Sequence, residues 1–363
     1  MKKMLASCAA LTISAALFAY NPPAGGQSLF NLSSPLSLSS ASSAAGGGIF
    51  MPGPESIAFN PALPSFEDRV QLDADFSVLG NTGDGDSGGA FQTGILIPLK
   101  MFNVSGILNG VFIGGDPVIK NGKVLNELSL GKSLNFKSGI SKEVTERISV
   151  GITLDAGYIW DAYEAGSGNS KDWSLGAGLG ALYRREQLGF AKDFRVGAAL
   201  LNIGKCYEVN LPGMDLEDSA DLFPGFITLK TGAAANLVST KDFLLGASFD
   251  ITVPSFQDVV FSAGVNFAVK DVFYINVAEN IDVMEAKNGF EDFMPAVSFS
   301  VKFNLNAKNN SYLKAHSWEN SEMLASAGWQ QKYGDLQVVS AGLRINLGQK
   351  DVDPPVIQIW DEE

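Results

Sequence analysis

Histidine and cysteine are nearly missing from this chain of 363 residues, which has one of the first and two of the second. One imidazole, His316, builds no histidine metal cluster and leaves a nucleophile only one possible histidine base. Cysteine is too scarce for a disulfide framework, because Cys8 lies in the leader described below and Cys206 is then left alone. Basic residues are also in deficit. With 26 Lys and Arg against 39 Asp and Glu, the net charge of -13 excludes nucleic acid as a partner, since phosphate backbones need clustered cations. After the leader no long charge-free apolar run occurs, which excludes helical membrane spans there.

The leader itself has the layout of a secretory signal. Lys2 and Lys3 are followed by an apolar stretch over residues 4–18, and Ala19 offers a small residue for cleavage, so residues 1–19 are predicted to be removed on export. Leu5-Ala6-Ser7-Cys8 suggests lipidation, but that cysteine precedes most of the apolar run instead of ending it.

What the chain has in abundance is alternation. In RISVGITLDAGYIW, Ile148, Val150, Ile152, Leu154, Ala156, Tyr158 and Trp160 fall on one face, and Arg147, Ser149, Gly151, Thr153, Asp155 and Gly157 on the other. The same period governs Val259 to Val269, Val297 to Leu305 and Val339 to Leu347. Each segment is about ten residues long, the length a tilted strand needs to cross a bilayer and longer than an ordinary strand. Counting such segments gives about fourteen, beginning near Arg69, Ala90, Asn103, Asn126, Arg147, Trp173, Phe194, Phe226, Phe243, Asp258, Val272, Pro295, Met323 and Leu336.

Phe, Val and Leu crowd one face while Gly and small polar residues crowd the other. The expected fold is therefore all-β, a closed antiparallel transmembrane barrel with lipid outside; a soluble exported β-sandwich or solenoid is the alternative that shorter strands would favour. Loops at 80–89, 115–125, 161–172 and 205–225 fall on one side, and the connections between them are mostly shorter. The stretch 307–322 breaks that rule, either because the count slips there or because that turn is elaborated.

Several segments resemble the FadL-like family of long-chain fatty-acid and hydrophobic-compound transporters, in particular its PorV-like branch. They are Ala44-Ala45-Gly46-Gly47 followed by Ser56-Ile57-Ala58-Phe59-Asn60-Pro61-Ala62, then RVGAALLNIG ending in Asn202 and Gly204, then PGFITLKTGAAANL and FLLGASFDITVP with Asp250. The likeness runs from about Ala44 to Leu347. It implies a fourteen-stranded barrel whose lumen is closed by an N-terminal plug that includes residues 46–64. Gly46, Gly47, Phe59, Asn60, Pro61 and Ala62 would carry the plug motif, with glycines packing closely, Pro61 fixing the chain's direction and Asn60 capping a turn. Taken alone, Asn-Pro-Ala also reads as the end of a short helix or turn.

The expected organisation is a leader over 1–19, a plug segment over 20–66, a barrel over 67–348 and a periplasmic tail over 349–363. The tail, GQKDVDPPVIQIWDEE, departs from the family's terminal aromatic residue, and its Asp-Pro-Pro-Val resembles the entrance to an immunoglobulin-like module. It reads as a flexible extension or a contact site for a periplasmic or surface protein.

No catalytic, metal or cofactor constellation is expected. In barrel hydrolases with His-x-Ser spacing the third position is serine, whereas here it is Trp318. The Gly/Asp run at 81–88 lacks the bidentate acid of a calcium loop. Asp215, Glu217, Asp218 and Asp221 read as a solvated loop. The functional expectation is uptake of hydrophobic small molecules, such as long-chain fatty acids, by diffusion through a plugged barrel in contact with outer-membrane lipid. The alternative is a docking or secretion-associated barrel of PorV type, through which no solute passes.

Overall fold

A computed structural model describes residues 43–81, 87–114, 119–120, 123–124, 132–164, 168–205, 207–209, 221–223, 227–254, 256, 259–283, 286, 294–307, 310–332 and 336–349. Fourteen long strands form one sheet: β1 (Val70–Asn81), β2 (Ser87–Pro98), β3 (Asn103–Gly114), β4 (Lys132–Thr145), β5 (Ile148–Glu164), β6 (Gly168–Leu188), β7 (Ala191–Lys205), β8 (Thr228–Ser239), β9 (Phe243–Pro254), β10 (Val260–Val269), β11 (Phe273–Asp282), β12 (Ala296–Asn306), β13 (Asn320–Lys332) and β14 (Leu336–Leu347). Each pairs antiparallel with its sequence neighbours. The last pairs with the first, from Val70 opposite Leu347 to Asn81 opposite Leu336, so the barrel closes without a free edge. Two small hairpins, Ile119–Lys120 with Lys123–Val124 and Tyr207–Val209 with Asp221–Phe223, lie outside it.

The period-2 pattern sets which way each side chain points. In β1, Gln71, Asp73, Asp75 and Ser77 are buried facing inward, whereas Leu72, Phe76 and Val78 are exposed facing outward. The face read as apolar in RISVGITLDAGYIW is the outer one too, with Leu154 63% exposed, while Ser149 and Thr153 are buried inside. Such apolar exposure is inverted for a water-soluble barrel and matches a wall whose surroundings are apolar. Aromatic neighbours stack across strands on this surface, with Phe249 and Phe261 at 6.3 Å and Phe273 and Phe299 at 6.2 Å.

The connections follow a two-sided rule in part: of the expected loop at 161–172 only 165–167 lie between strands, because β5 runs to Glu164 and β6 starts at Gly168, and 333–335 on the same side is equally short. Leu99 bonds back to Phe102 between β2 and β3 at 3.0 Å, and β10 turns into β11 through residues 270–272, with Lys270 and Asp271 at positive φ and the Val272 amide bonded to the Val269 carbonyl at 3.0 Å. The stretch after β12 is the exception on this short-turn side, and its cause is elaboration, with the strand count intact. A helix, Ser311–Ala315, fills it, started by Asn310, whose side chain accepts from the amides of Tyr312 and Leu313. The fourth strand begins at Lys132 instead of near Asn126, and residues 125–131 lie outside the described set. The leader, residues 20–42, Cys206, the acidic residues 215–218 and the tail from 350 onward also lie outside it.

Replacing outward-facing Val265 by Arg should lower stability by roughly 2–4 kcal/mol if lipid covers this belt at mid-depth. Urea titration of the protein folded in lipid vesicles measures this, and a parent-like midpoint would overturn the facing assignment.

Candidate functional site

Inside the wall runs residues 43–69 of the chain itself. Two short turns of 3-10 helix, Pro54–Ala58 and Leu63–Phe66, shape this stretch, each with proline in its first turn where a missing N–H does no harm. Following it from Ala44, the segment touches β7 and β9, then β10, then β14, then β2, then β4, and returns past β5 and β6. It makes one circuit of the lumen. Its polar backbone groups meet no water there, so each needs a partner from the wall or from the segment itself.

The first arc is held most heavily. The Ala44 amide donates to Asp250 Oδ1 at 2.6 Å, and the Gly48 amide to Asn266 Oδ1 at 2.7 Å. Gly46 and Gly47 have φ of 81° and 75°, a left-handed run that only glycine adopts freely, and it turns their carbonyls toward β7. There the guanidinium of Arg195, fully buried, donates to the carbonyls of Ala45 at 3.2 Å, Gly47 at 2.8 Å and Gly48 at 3.0 Å. Its charge also sits 4.4 Å from the centre of the Phe50 ring. Farther along, Arg344 of β14 donates to the Met51 carbonyl at 3.3 Å and forms an ion pair with Glu55.

Asn60 closes the circuit. Its Nδ2 donates to the Ala44 carbonyl at 2.7 Å, joining the end of the loop to its start, and to the Ala181 carbonyl of β6 at 3.0 Å. Its Oδ1 accepts from the Ala62 amide at 3.0 Å, which caps the turn through Pro61. The neighbours of this clamp are buried and apolar: Ala45, Phe59, Ala62 and Leu63 pack on Leu182 and Ala234, with Phe50 and Phe66 alongside. Beyond it, Asn103 donates to the carbonyls of Pro64 at 2.6 Å and Glu67 at 2.8 Å, and Arg69 pairs with Glu67 at 2.7 Å and with Glu322 at 2.5 Å.

The wall makes room with glycine. A Cβ on Gly197 would come within 2.0 Å of the Ala44 carbonyl oxygen, on Gly180 within 2.1 Å of Asn60 Oδ1, and on Gly151 within 2.1 Å of the Pro61 carbonyl oxygen. Backbone thus lies on backbone along β5 to β7, closer than any side chain would permit.

Toward the long-loop end the inward residues change character. Val338 stands opposite Leu79, and Ala90 stands opposite Val111, which is one strand pairing from Ser133 and Ile159. Leu79, Ala90, Val111, Ile159 and Val338 are all buried. The lumen therefore has an aliphatic upper wall above a polar, filled middle.

Of the residues singled out in the sequence, Gly46, Gly47, Phe59, Asn60, Pro61, Ala62 and Asp250 gather in this circuit. Asn202 and Gly204 do not; they sit near the loop end of β7, where Asn202 at φ 58° accepts from the Ile227 amide at 3.1 Å and Gly204 has φ 159°. His316 lies on the outer helix of the short-turn side, stacked between Tyr312 and Trp318 and hydrogen-bonded to the Tyr312 carbonyl. Arg195, Arg344, Glu55, Asn266 and Asn103 escaped the sequence reading. The available signal was a charge or amide at an inward position of an otherwise small-residue face, as in Arg195 heading RVGAALLNIG. Among the described residues no group of three or more His, Cys, Asp or Glu is arranged to hold a metal ion, and no helix is long and apolar enough to cross a membrane.

No protein-family model matches the sequence, and no curated protein matches it. Among solved structures, the toluene transporter TbuX of Ralstonia pickettii is similar, with a TM-score of 0.53 and 13% identity over 88% of this chain and 100% of that one. A TodX monoaromatic hydrocarbon channel lacking S2 and S3 gives 0.51 at 12% identity over 85% and 98%, and the CymD monoaromatic hydrocarbon channel 0.51 at 12% over 88% and 99%. At such identities the likeness is one of fold.

Asn60→Ala should cost about 2–3 kcal/mol, since it takes this partner from the buried Ala44 carbonyl and Ala62 amide and from the part-buried Ala181 carbonyl. Asn60→Asp should be no milder, because it sets carboxylate oxygens against those same carbonyls. Unfolding midpoints in lipid, with limited proteolysis of residues 43–66 as a second readout, test both. A parent-like midpoint for Asn60→Ala would show that the clamp carries no stability.

Proposed function

We propose that the chain is an exported outer-membrane barrel that takes up hydrophobic small molecules by diffusion through its lumen, with the circuit of residues 43–66 as the plug. The observation that carries this reading is the lumen's layering. An apolar solute entering from the long-loop side meets the aliphatic wall of Leu79, Val111, Ile159 and Val338, where it sheds water favourably. Below that level the circuit occupies the polar middle of the lumen.

The fold shared with a toluene transporter and monoaromatic hydrocarbon channels supports the hydrophobic solute class. The FadL-like motifs support it independently, because Ala44 to Gly47 and Phe59 to Ala62 are the segments that join at the Asn60 clamp. Within that class we favour long-chain fatty acids over bare aromatics on the strength of the motifs. The leader over 1–19 and the plug's start at residue 20 belong to the same reading. So does a periplasmic tail after Leu347.

The test is to refold the chain without its leader in detergent, compare gel mobility with and without heating, and titrate a fluorescent long-chain fatty acid with toluene as competitor. The expected result is a heat-sensitive compact band with saturable binding, weakened at least about tenfold by Asn60→Ala. A compact band that binds neither compound would overturn uptake in favour of a docking barrel of PorV type. A chain that stays folded and soluble without detergent would overturn the membrane assignment.

A further inference from the structure

The stretch 307–319 between β12 and β13 interrupts a side otherwise built from short turns. Its ends continue the pairing of the two strands, with the Ala307 amide bonded to the Glu319 carbonyl at 2.8 Å. Between those ends stand the helix Ser311–Ala315 and the residues His316 to Trp318.

This stretch returns over the outside of the wall. Ser321 of β13 stands opposite Leu305 of β12, and residues directly opposite each other share a face. Leu305 points outward and is 37% exposed, yet Ser321 is buried. The returning chain covers it. Ser321 Oγ donates to the Trp318 carbonyl at 2.8 Å and accepts from the Gly348 amide at 3.1 Å. A Cβ on Gly348 would come within 3.3 Å of the Ser317 carbonyl oxygen and 3.5 Å of Trp318 Cδ1, so the return also packs on the end of β14.

Three rings gather there. The Tyr312 and His316 centroids lie 4.4 Å apart, those of His316 and Trp318 5.1 Å, and those of Tyr312 and Trp318 6.4 Å. His316 Nδ1 bonds to the Tyr312 carbonyl at 2.9 Å, which ties the first ring to the second. Apart from one another the rings have little cover: Tyr312 is 61% exposed, His316 is exposed and Trp318 is half-buried.

Resting on the membrane assignment above, we infer that this cluster is an interfacial anchor, seated among the phospholipid headgroups of the leaflet on the short-turn side. The outward belt is continuous with it, because Phe303 and Leu305 carry exposed apolar surface down β12 to the point where the stretch begins. Tyrosine and tryptophan combine an apolar body with a polar edge, and such rings collect where hydrocarbon gives way to headgroups. Lys314, exposed on the same helix, sets an ammonium where lipid phosphates lie. The elaborated turn and the chain's single histidine thereby acquire a role: His316 is the spacer that holds the two amphipathic rings in one platform.

Tryptophan emission tests the inference. One chain keeps Trp318 alone, with Trp160, Trp173, Trp329 and Trp360 replaced by Phe; a control chain has all five replaced and carries Phe249→Trp in the middle of the outward face of β9. Both are folded into phosphatidylcholine vesicles brominated either near the top or near the end of the acyl chain, and iodide serves as the aqueous quencher. The expected result is that bromine near the top lowers Trp318 emission at least about twofold and more than bromine near the end, with the order reversed for Phe249→Trp. Lipid quenching of the control with none at Trp318, where iodide quenches instead, overturns the anchor and leaves the membrane assignment standing. Lipid quenching of neither chain overturns the membrane assignment and the anchor with it.

A second measurement needs only one conservative substitution. The difference in emission between the parent and Trp318→Phe should show the same preference for bromine near the top of the chain. A difference that brominated lipid leaves unchanged would also overturn the anchor.

Discussion

A peptide laid inside a closed wall has amides and carbonyls that water does not reach, and the interior of this barrel is organised around supplying them with partners. An orphaned buried peptide group costs about 1–3 kcal/mol, so a circuit of more than twenty residues would be untenable without such partners. Arg195 answers several carbonyls at once because a guanidinium is a rigid fork of donors, and the Phe50 ring shares its charge. Asp250 and Asn266 take the amides that face the other way. The polar inner face of the wall, which reads in the sequence as the lining of a pore, is to a large extent a mould for the chain's own backbone.

That arrangement imposes an order of assembly. Ala44 meets a residue 206 positions later, Gly48 one 218 later and Glu55 one 289 later. Such contacts are entropically remote until β1 and β14 have paired and the wall is closed. The glycines at 151, 180 and 197 belong to the same logic: each weakens its strand locally, yet together they make the smooth surface on which the circuit settles. Arg69, bonded to Glu67 behind it and Glu322 across from it, fixes the point where interior segment becomes wall.

The sequence revealed the wall better than its contents, for a physical reason. Alternation repeats in every strand, so the fourteen segments reinforce one another and small boundary errors, such as Asn126 for Lys132, leave the topology intact. The contacts inside are single residues whose partners lie a chain's length away, and no local pattern marks Arg195 or Arg344 as belonging with a glycine run near the start. Asn60 was visible because its turn is local, through Pro61 and Ala62, whereas its bond to Ala44 was not. Asn202 and Gly204 were singled out only through the family resemblance, and the irregularity they make serves the loop end of β7, away from the circuit. The long stretch after β12 resisted the two-sided loop rule because Asn310 starts a helix there, a capped turn that the strand period has no means of showing.

Two kinds of contact hold the circuit against the wall. Hydrogen bonds are directional and fail abruptly when their partners separate, so the contacts at Arg195, Asp250 and Asn60 fix the circuit's position. Apolar contact, as where Ile49 packs with Ala268, Tyr274 and Leu324 and where Phe59 and Leu63 pack with Leu182 and Ala234, is non-directional and tolerates small shifts that a hydrogen bond does not. The circuit is thus fixed in place by its hydrogen bonds and packed by its apolar side chains, and the two kinds of contact follow one another along it.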